Sequence, residues 1–409
     1  MVTVRCLVNL AVHKGWPLYQ LDVNNAFLYG DLEEEVYMTI PLGCGYKDNN
    51  KVCKLKKSLH GLKQAPRQWN AKLTNALAEH GFVQCMYDYS LYIKQSKDVF
   101  IVLLVYVDDI VITGNNKDEI DKFKQFLSSK FMIKDLGILK YFLGIEIMEN
   151  KKGVCMFQRK YCLELLHEYG LLASKPIDTP LETNTVLNCV ETEKDRFLNN
   201  PTAYQKLVGK LIYLTNTRHD ISYAVHCLSQ HMHAPLQSHF KIALRVLRYL
   251  KNSPGLGIQI NKESDLKVSV YADSDWAKCP TTRKSVSGYC VFLGNSLVSW
   301  KSKKQATLSR SSTEAEYRCM ASATCEVIWI TNILSSLGVD GLLPVNMFCD
   351  NSSAIQIAGN PVFHERSKHF EIDLHVVREK VSYGLLKTIK GLFLPSLKVI
   401  KGLNGNFED

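Results

Sequence analysis

No apolar run in the 409-residue chain approaches the roughly 20 residues that a membrane-spanning helix needs. The longest clean run, Ile101–Val107, falls far short of it, so no membrane partner is expected. No secretory leader is expected in the first residues either: Arg5 interrupts the first apolar stretch, and no small-residue cleavage site follows. The expected location is intracellular, cytoplasmic or nuclear. The 13 cysteines include no CxxC pair. That pattern argues for free thiols in a reducing compartment and against a disulfide scaffold or a zinc site. His226, His231, His233 and His239 crowd together, but their spacing matches no standard metal site.

What is present is enough length for two or three domains and an ordinary apolar content. The net charge of +10, from 50 basic and 40 acidic residues, favours a polyanionic partner.

Residues 101–112, IVLLVYVDDIVI, read as two buried strands around a tight turn that holds Asp108 and Asp109. Neighbouring side chains on a strand point to opposite faces, so at most one of the pair faces a given site. Asp108 is assigned to that face. A carboxylate beside such a core is costly without a compensating cation or donor. A divalent ion in phosphoryl transfer usually has more than one carboxylate. Asp22, after the extended stretch 17–21, is the expected partner. A plain turn aspartate is the alternative for either motif taken alone.

Residues 54–70, KLKKSLHGLKQAPRQWN, combine four lysines, Arg67 and Trp69 with Gly61 and Pro66. Lys54, Lys56, Lys57 and Arg67 suit phosphates, Gly61 allows close backbone approach, and an aromatic stacks on bases. The competing reading is a solvated charged face. Asp31–Glu35 reads as a solvated acidic turn. Helical spacing is expected over 3–14, 68–80, 117–131, 158–172 and within 204–250, and the segment 176–201 reads as a linker. The basic positions of the last helix, Lys241, Arg245, Arg248 and Lys251, read first as solubilising charge, with a track along a hybrid duplex as the alternative.

A second acidic set follows. A strand over 267–272 ends in Asp273, another covers 287–293, a capped helix over 309–320 carries Glu314 and Glu316, and a strand over 345–349 delivers Asp350. Glu314 and Glu316 compete for one role.

Together these stretches resemble a known family. Asp22 with its Val-Asn-Asn-Ala-Phe sequel, Gly61-Leu62-Lys63-Gln64-Ala65-Pro66, and Tyr106-Val107-Asp108-Asp109 resemble motifs A, B and C of reverse transcriptases. Their surroundings resemble the Ty1/copia class of retrotransposon polyproteins, from about residue 1 to about residue 390. Tyr141–Ile147 looks like the family's primer-grip hairpin. The later acids resemble an RNase H fold, with Asp273, Glu316 and Asp350 as the matching carboxylates.

The resemblance implies an α+β and α/β multidomain fold: a palm with partial fingers, a helical thumb and connection, then an RNase H-like mixed sheet with helices. The expected divisions are 1–150 palm, 151–200 thumb and linker, 201–262 connection, 263–390 RNase H-like domain and 391–409 divergent tail. The implied activity is RNA-directed DNA polymerase with RNase H, using Mg2+ or Mn2+ at Asp22, Asp108 and Asp109 and at Asp273, Glu316 and Asp350. The implied partners are an RNA template, a DNA primer, the RNA–DNA hybrid and dNTPs. Phe27 matches the bulky aromatic beneath the incoming sugar, with an ordinary core residue as the alternative. His60, Gly61, Lys63 and Gln64 match the dNTP and template contacts.

Departures from the family are specific. His60 stands where tyrosine is usual, and His219 stands where proline usually precedes Asp220-Ile221-Ser222. The match holds through His369 and His375 to Ile389. No fourth RNase H acid is recognised in 391–409, and the fingers segment is expected before residue 1. These departures lead us to expect impaired catalysis in a polyprotein fragment, with a catalytically dead nucleic-acid-binding remnant as the alternative. Glu371 and Asp373 are the reserve candidates for the fourth acid.

Overall fold

In a computed structural model the chain forms two compact units, Lys14–Leu139, and Met1–His13 with Lys140–Asp409. The structure describes all residues except 42, 46–50, 183–184, 186, 264, 361–370 and 392–409. His369 and the tail from 392 on lie outside the described residues. No helix among those described is long and apolar enough to cross a membrane.

The first helix, α1 (Val2–Lys14), packs with the second unit. Val4, Leu7, Val8 and Ala11 are buried as the spacing predicts, and so are Thr3, Arg5 and Asn9 on the other side.

The unit Lys14–Leu139 contains β1 (Leu18–Val23), a 3-10 turn at Ala26–Tyr29, β2 (Asp31–Thr39), β3 (Val52–Lys57) and α2 (Ala65–Glu79). It continues with β4 (Val83–Gln84), β5 (Leu91–Gln95), β6 (Phe100–Tyr106), β7 (Asp109–Gly114), α3 (Lys117–Lys130) and β8 (Ile133–Ile138). One antiparallel sheet runs β4-β5-β6-β7-β1-β8. Leu21, Leu103, Val105, Ile110 and Ile112 from its strands meet Trp69, Leu73 and Leu77 of α2 and Ile120, Phe123 and Leu127 of α3. Each such aliphatic side chain contributes roughly 1.5–3 kcal/mol on burial. Pro66 sits in the first turn of α2, where its missing N–H costs nothing. Asn116 caps α3 by accepting from Glu119 N at 3.1 Å.

The acidic run Asp31–Glu35 is solvent-exposed as expected, but it is strand and not turn. It lies in β2, paired with β3, and Asp31 and Glu35 bind Lys57 and Lys54 across the ribbon. Asp31 also binds Lys72 of α2 at 2.7 Å.

The second unit adds β9 (Tyr141–Phe142), β10 (Ile145–Asn150), β11 (Gly153–Phe157), α4 (Arg159–Glu168), α5 (Pro201–Leu214), a 3-10 turn at His219–Ile221, α6 (Ser222–Ser229), α7 (Gln237–Asn252) and β12 (Ile258–Asn261). Leu143 and Gly144 both have positive φ in the β9–β10 turn. A Cβ on Gly144 would collide with the Tyr213 hydroxyl, which donates to Leu143 O at 2.6 Å. The helices share one core of Leu165, Leu166, Tyr204, Leu207, Leu211, Val225, Val246 and Leu247.

Three of the four basic side chains of α7 are engaged within the chain and are not free solubilising charge. Arg245 binds Glu182 at 2.7 Å and Thr179 at 3.0 Å, Arg248 donates to Lys175 O at 3.0 Å, and Lys251 donates to Ser174 O. They fasten the 174–182 stretch to the helix. His219 begins its 3-10 turn in place of the usual proline and sits edge-on to Trp300.

The chain ends its described course with β13 (Val268–Asp275), β14 (Val286–Leu293), β15 (Ser296–Lys304), α8 (Ser312–Ser336), β16 (Val345–Cys349), α9 (Ser352–Gly359), α10 (Glu371–Ser382) and β17 (Leu386–Lys390). The sheet order is β15-β14-β13-β16-β17, antiparallel through β13 and parallel beyond it. The expected strand, hairpin, helix and strand are all present. The first strand runs two residues past Asp273, and α8 is twice as long as the expected helix.

Candidate active sites

The first acidic cluster forms at one end of the sheet in the unit Lys14–Leu139. Asp22 on β1 stands directly opposite Asp109 on β7 in the antiparallel register. Opposed residues share a face, so their side chains project to the same side of the sheet. Gln20, on that same face, donates to Asp109 Oδ1 at 3.1 Å. Burial pushes the Asp109 carboxyl above its usual range, the Gln20 bond opposes this, and the charges of Asp108 and Asp22 add to it.

Asp108 is exposed in the turn, and its carbonyl accepts from Val23 N at 2.9 Å. Val107 before it has φ 56, a strained conformation for a β-branched residue. The Trp69 indole N–H holds the Val107 carbonyl at 2.7 Å. Trp69 is 2% exposed, so it pins this turn and is not offered to a base.

The motif-B stretch approaches the same region. Phe27 packs partly against the core and lies edge-on to His60, ring centroids 5.0 Å apart. The Ser58 hydroxyl donates to Phe27 O. Gly61 has φ 93, which only glycine adopts readily. Lys56, Lys63 and Arg67 are exposed, and Gln64 is half-buried before α2. Lys54 and Lys57 are tied to the β2 acids.

The second cluster lies on the five-stranded sheet. Glu316 in α8 and Asp350, just past β16, have carboxylate oxygens within 4.8 Å of each other, and Cys349 Sγ shares that distance. Glu316 is buried and accepts from Ser274 N at 3.0 Å. Burial first, then the charges of Asp350 and Asp275, push its carboxyl up to about 8. The Cys349 thiol is driven up to about 12 by burial and by Glu316. A neutral thiol suits a hard cation poorly. The clustered, mutually repelling carboxylates are what a divalent cation would relieve.

Asp273 is 2% exposed on β13, opposite Gly288. It is not in the group around Glu316 and Asp350. Asp275, two residues past Asp273 on the same strand and not among the expected site acids, is half-buried and its charge reaches Glu316. The choice between the two helix acids has a structural answer. Glu314 is bound by Arg318 at 2.9 Å and accepts from Arg310 N, whereas Glu316 faces Asp350. Asp373 on α10 also binds Arg318, at 3.4 Å, and Glu371 is exposed.

A fold joining an antiparallel sheet with acids at a strained turn to a mixed sheet with acids at its strand ends defines a class. The family of reverse transcriptases (RNA-dependent DNA polymerases) matches residues 1–183. The Pol polyprotein of transposon RE1 from Arabidopsis thaliana is 44% identical over 95% of this chain and 26% of its own length. A putative transposon Ty5-1 protein of Saccharomyces cerevisiae is 33% identical over 75% of this chain and 100% of its own length. The foamy viral protease-reverse transcriptase, solved with dsDNA, shares the fold at TM-score 0.50 and 14% identity, over 93% of this chain and 68% of that one. The chain belongs to the reverse-transcriptase family of copia-type retrotransposon Pol polyproteins. It spans about a quarter of the length of the RE1 and RE2 polyproteins it matches.

Proposed function

We propose that the chain is an RNA-directed DNA polymerase that extends a DNA primer on an RNA template with dNTPs and cleaves the RNA of the resulting hybrid. In this reading 14–139 acts as palm with partial fingers, the stretch with α4 as thumb, α5–α7 as connection, and β13–β17 with their helices as the ribonuclease. The observation that carries the polymerase reading is the register pairing of Asp22 with Asp109 beside the pinned turn at Asp108.

Asp22, Asp108 and Asp109 would hold Mg2+ or Mn2+ at the first site, and Glu316 and Asp350, with Asp273 or Asp275, at the second. Bound there, the cations supply positive charge to the nucleophile and to the departing oxygen of a phosphoryl transfer. Phe27 excludes a 2′-hydroxyl by bulk. His60, Gly61, Lys63 and Gln64 line the template and nucleotide, and Lys56 and Arg67, with Lys54 and Lys57 beside them, neutralise backbone phosphate. The work is done inside the cell, in cytoplasm or nucleus.

Primer extension on a poly-rA template with a DNA primer tests this. Wild type should extend only with a divalent cation, and Asp22→Asn and Asp109→Asn should each lose about 10²–10³ in rate. Equal extension by wild type and both variants, or none by wild type, overturns the reading. Phe27→Ala should raise ribonucleotide use relative to deoxynucleotides, and an unchanged ratio returns Phe27 to the core.

A further inference from the structure

A cavity of about 330 Å³ opens in the second unit beside the turn that links β13 to β14. Cys279, Cys189 and Cys227 all line it, with Tyr223, His231 and Lys304. Three thiols on one cavity are unusual in a chain whose other cysteines are scattered, many of them in the core.

The turn is closed by Cys279 N donating to Lys284 O at 3.0 Å and Arg283 N donating to Cys279 O at 2.8 Å. Lys304 Nζ stands 3.8 Å from Cys279 Sγ. Cys189 Sγ lies 3.6 Å from Thr281 Oγ1 in the same turn and 4.0 Å from His231 Nδ1. Burial would raise the Cys279 thiol, but hydrogen bonds from Thr282, together with Lys304 and the Thr281 N–H, outweigh it and hold it below its ordinary value. Burial pushes Cys227 up to about 11. The cavity therefore holds one thiol made more acidic by its neighbours, with Lys304 beside it and Lys278, 3.8 Å from Asp275, at its wall to attract an anion.

We propose that this cavity is a thiol-modification site in which Cys279 attacks a small anionic disulfide of the glutathione class. The Cys279 sulfur bonds to one sulfur of the reagent, the reagent's S–S bond breaks, and its other half leaves as a thiolate. Cys279 is oxidised and the leaving half is reduced, so electrons balance without a further oxidant.

The test is exposure of the folded full-length chain to glutathione disulfide, with peptide mass mapping over time. Cys279 should be modified about tenfold faster than Cys325 or Cys44, which are exposed and lack this setting. Lys304→Gln should slow Cys279 several-fold while leaving Cys325 unchanged, and Lys304→Arg should restore the rate. Modification of Cys325 or Cys44 as fast as Cys279 in wild type overturns the proposal without reference to any variant. So does a Lys304→Gln chain that keeps the wild-type Cys279 rate.

Discussion

At the scale of single residues, the two acidic clusters differ in what sets them. In the first, one irregular residue matters most. Val107 adopts a left-handed conformation that costs on the order of 1–3 kcal/mol, and Trp69 is the donor that holds it. Trp69→Phe removes that bond and leaves a carbonyl to be resolvated. It should cost about 1–2 kcal/mol by urea unfolding and lower primer extension, whereas an unchanged stability would make the indole bond incidental.

In the second cluster the unusual group is Glu316, raised by burial and by its like-charged neighbours to about 8. Between its unfolded value near 4.5 and about 8 the folded state holds more protons than the unfolded one. Metal-free stability should therefore fall as pH rises across that window. Glu316→Gln should remove this dependence, raising Tm at pH 8 more than at pH 5, and identical pH profiles for the two proteins would contradict the assignment.

At the scale of elements, the strands and helices of the two sites were largely legible. Apolar runs of two periods fix β6, β7, β13, β16 and α1–α3 because their buried faces are continuous. Three things were not legible. Alternation assigns Asp108 to the face of Asp22, but Asp109 is the acid that opposes Asp22, since the turn at Val107 breaks the alternation. The strand through Asp273 was expected to stop there, yet pairing with Ser287 and Val286 carries it on to Asp275. The acids Asp31 and Glu35 are solvated as expected, but their place in a strand was not legible because their lysine partners lie on the next strand.

Asp220 was also unread as a structural residue. It is buried, held by Arg218 at 2.6 Å and by the Tyr249 hydroxyl at 2.8 Å, and Arg218 reaches on to Ser253 O. This pair joins the start of α6 to the end of α7. Removing one partner strands a buried charge, so Asp220→Asn should cost roughly 3–5 kcal/mol in a denaturant melt. A loss below about 1 kcal/mol, the range of exposed ion pairs, would show the pair to be dispensable.

At the scale of the whole molecule, internal pairing leaves the net charge at +10 but decides which basic side chains are free to meet a phosphate. Lys54, Lys57, Lys72 and Arg245 bind acids of the chain itself, and Arg248 and Lys251 bind backbone carbonyls. Hybrid binding in EDTA should still weaken with salt through phosphate neutralisation. Lys56→Glu or Arg67→Glu should flatten that salt dependence, and Arg248→Ala should leave it unchanged. A slope that responds to Arg248 and not to Lys56 or Arg67 would move the nucleic-acid face to α7.

The proposed function places two different chemistries on two separate carboxylate sites of one chain. One hybrid labelled on both strands, primer DNA and template RNA, reads both at once in the presence of Mg2+. With dNTPs present, Asp22→Asn should lower primer extension about 10²–10³-fold and leave RNA cleavage intact, and Glu316→Gln should do the reverse. If either substitution removes both signals in a chain that still melts like wild type, or if neither removes any, the two-site account is wrong.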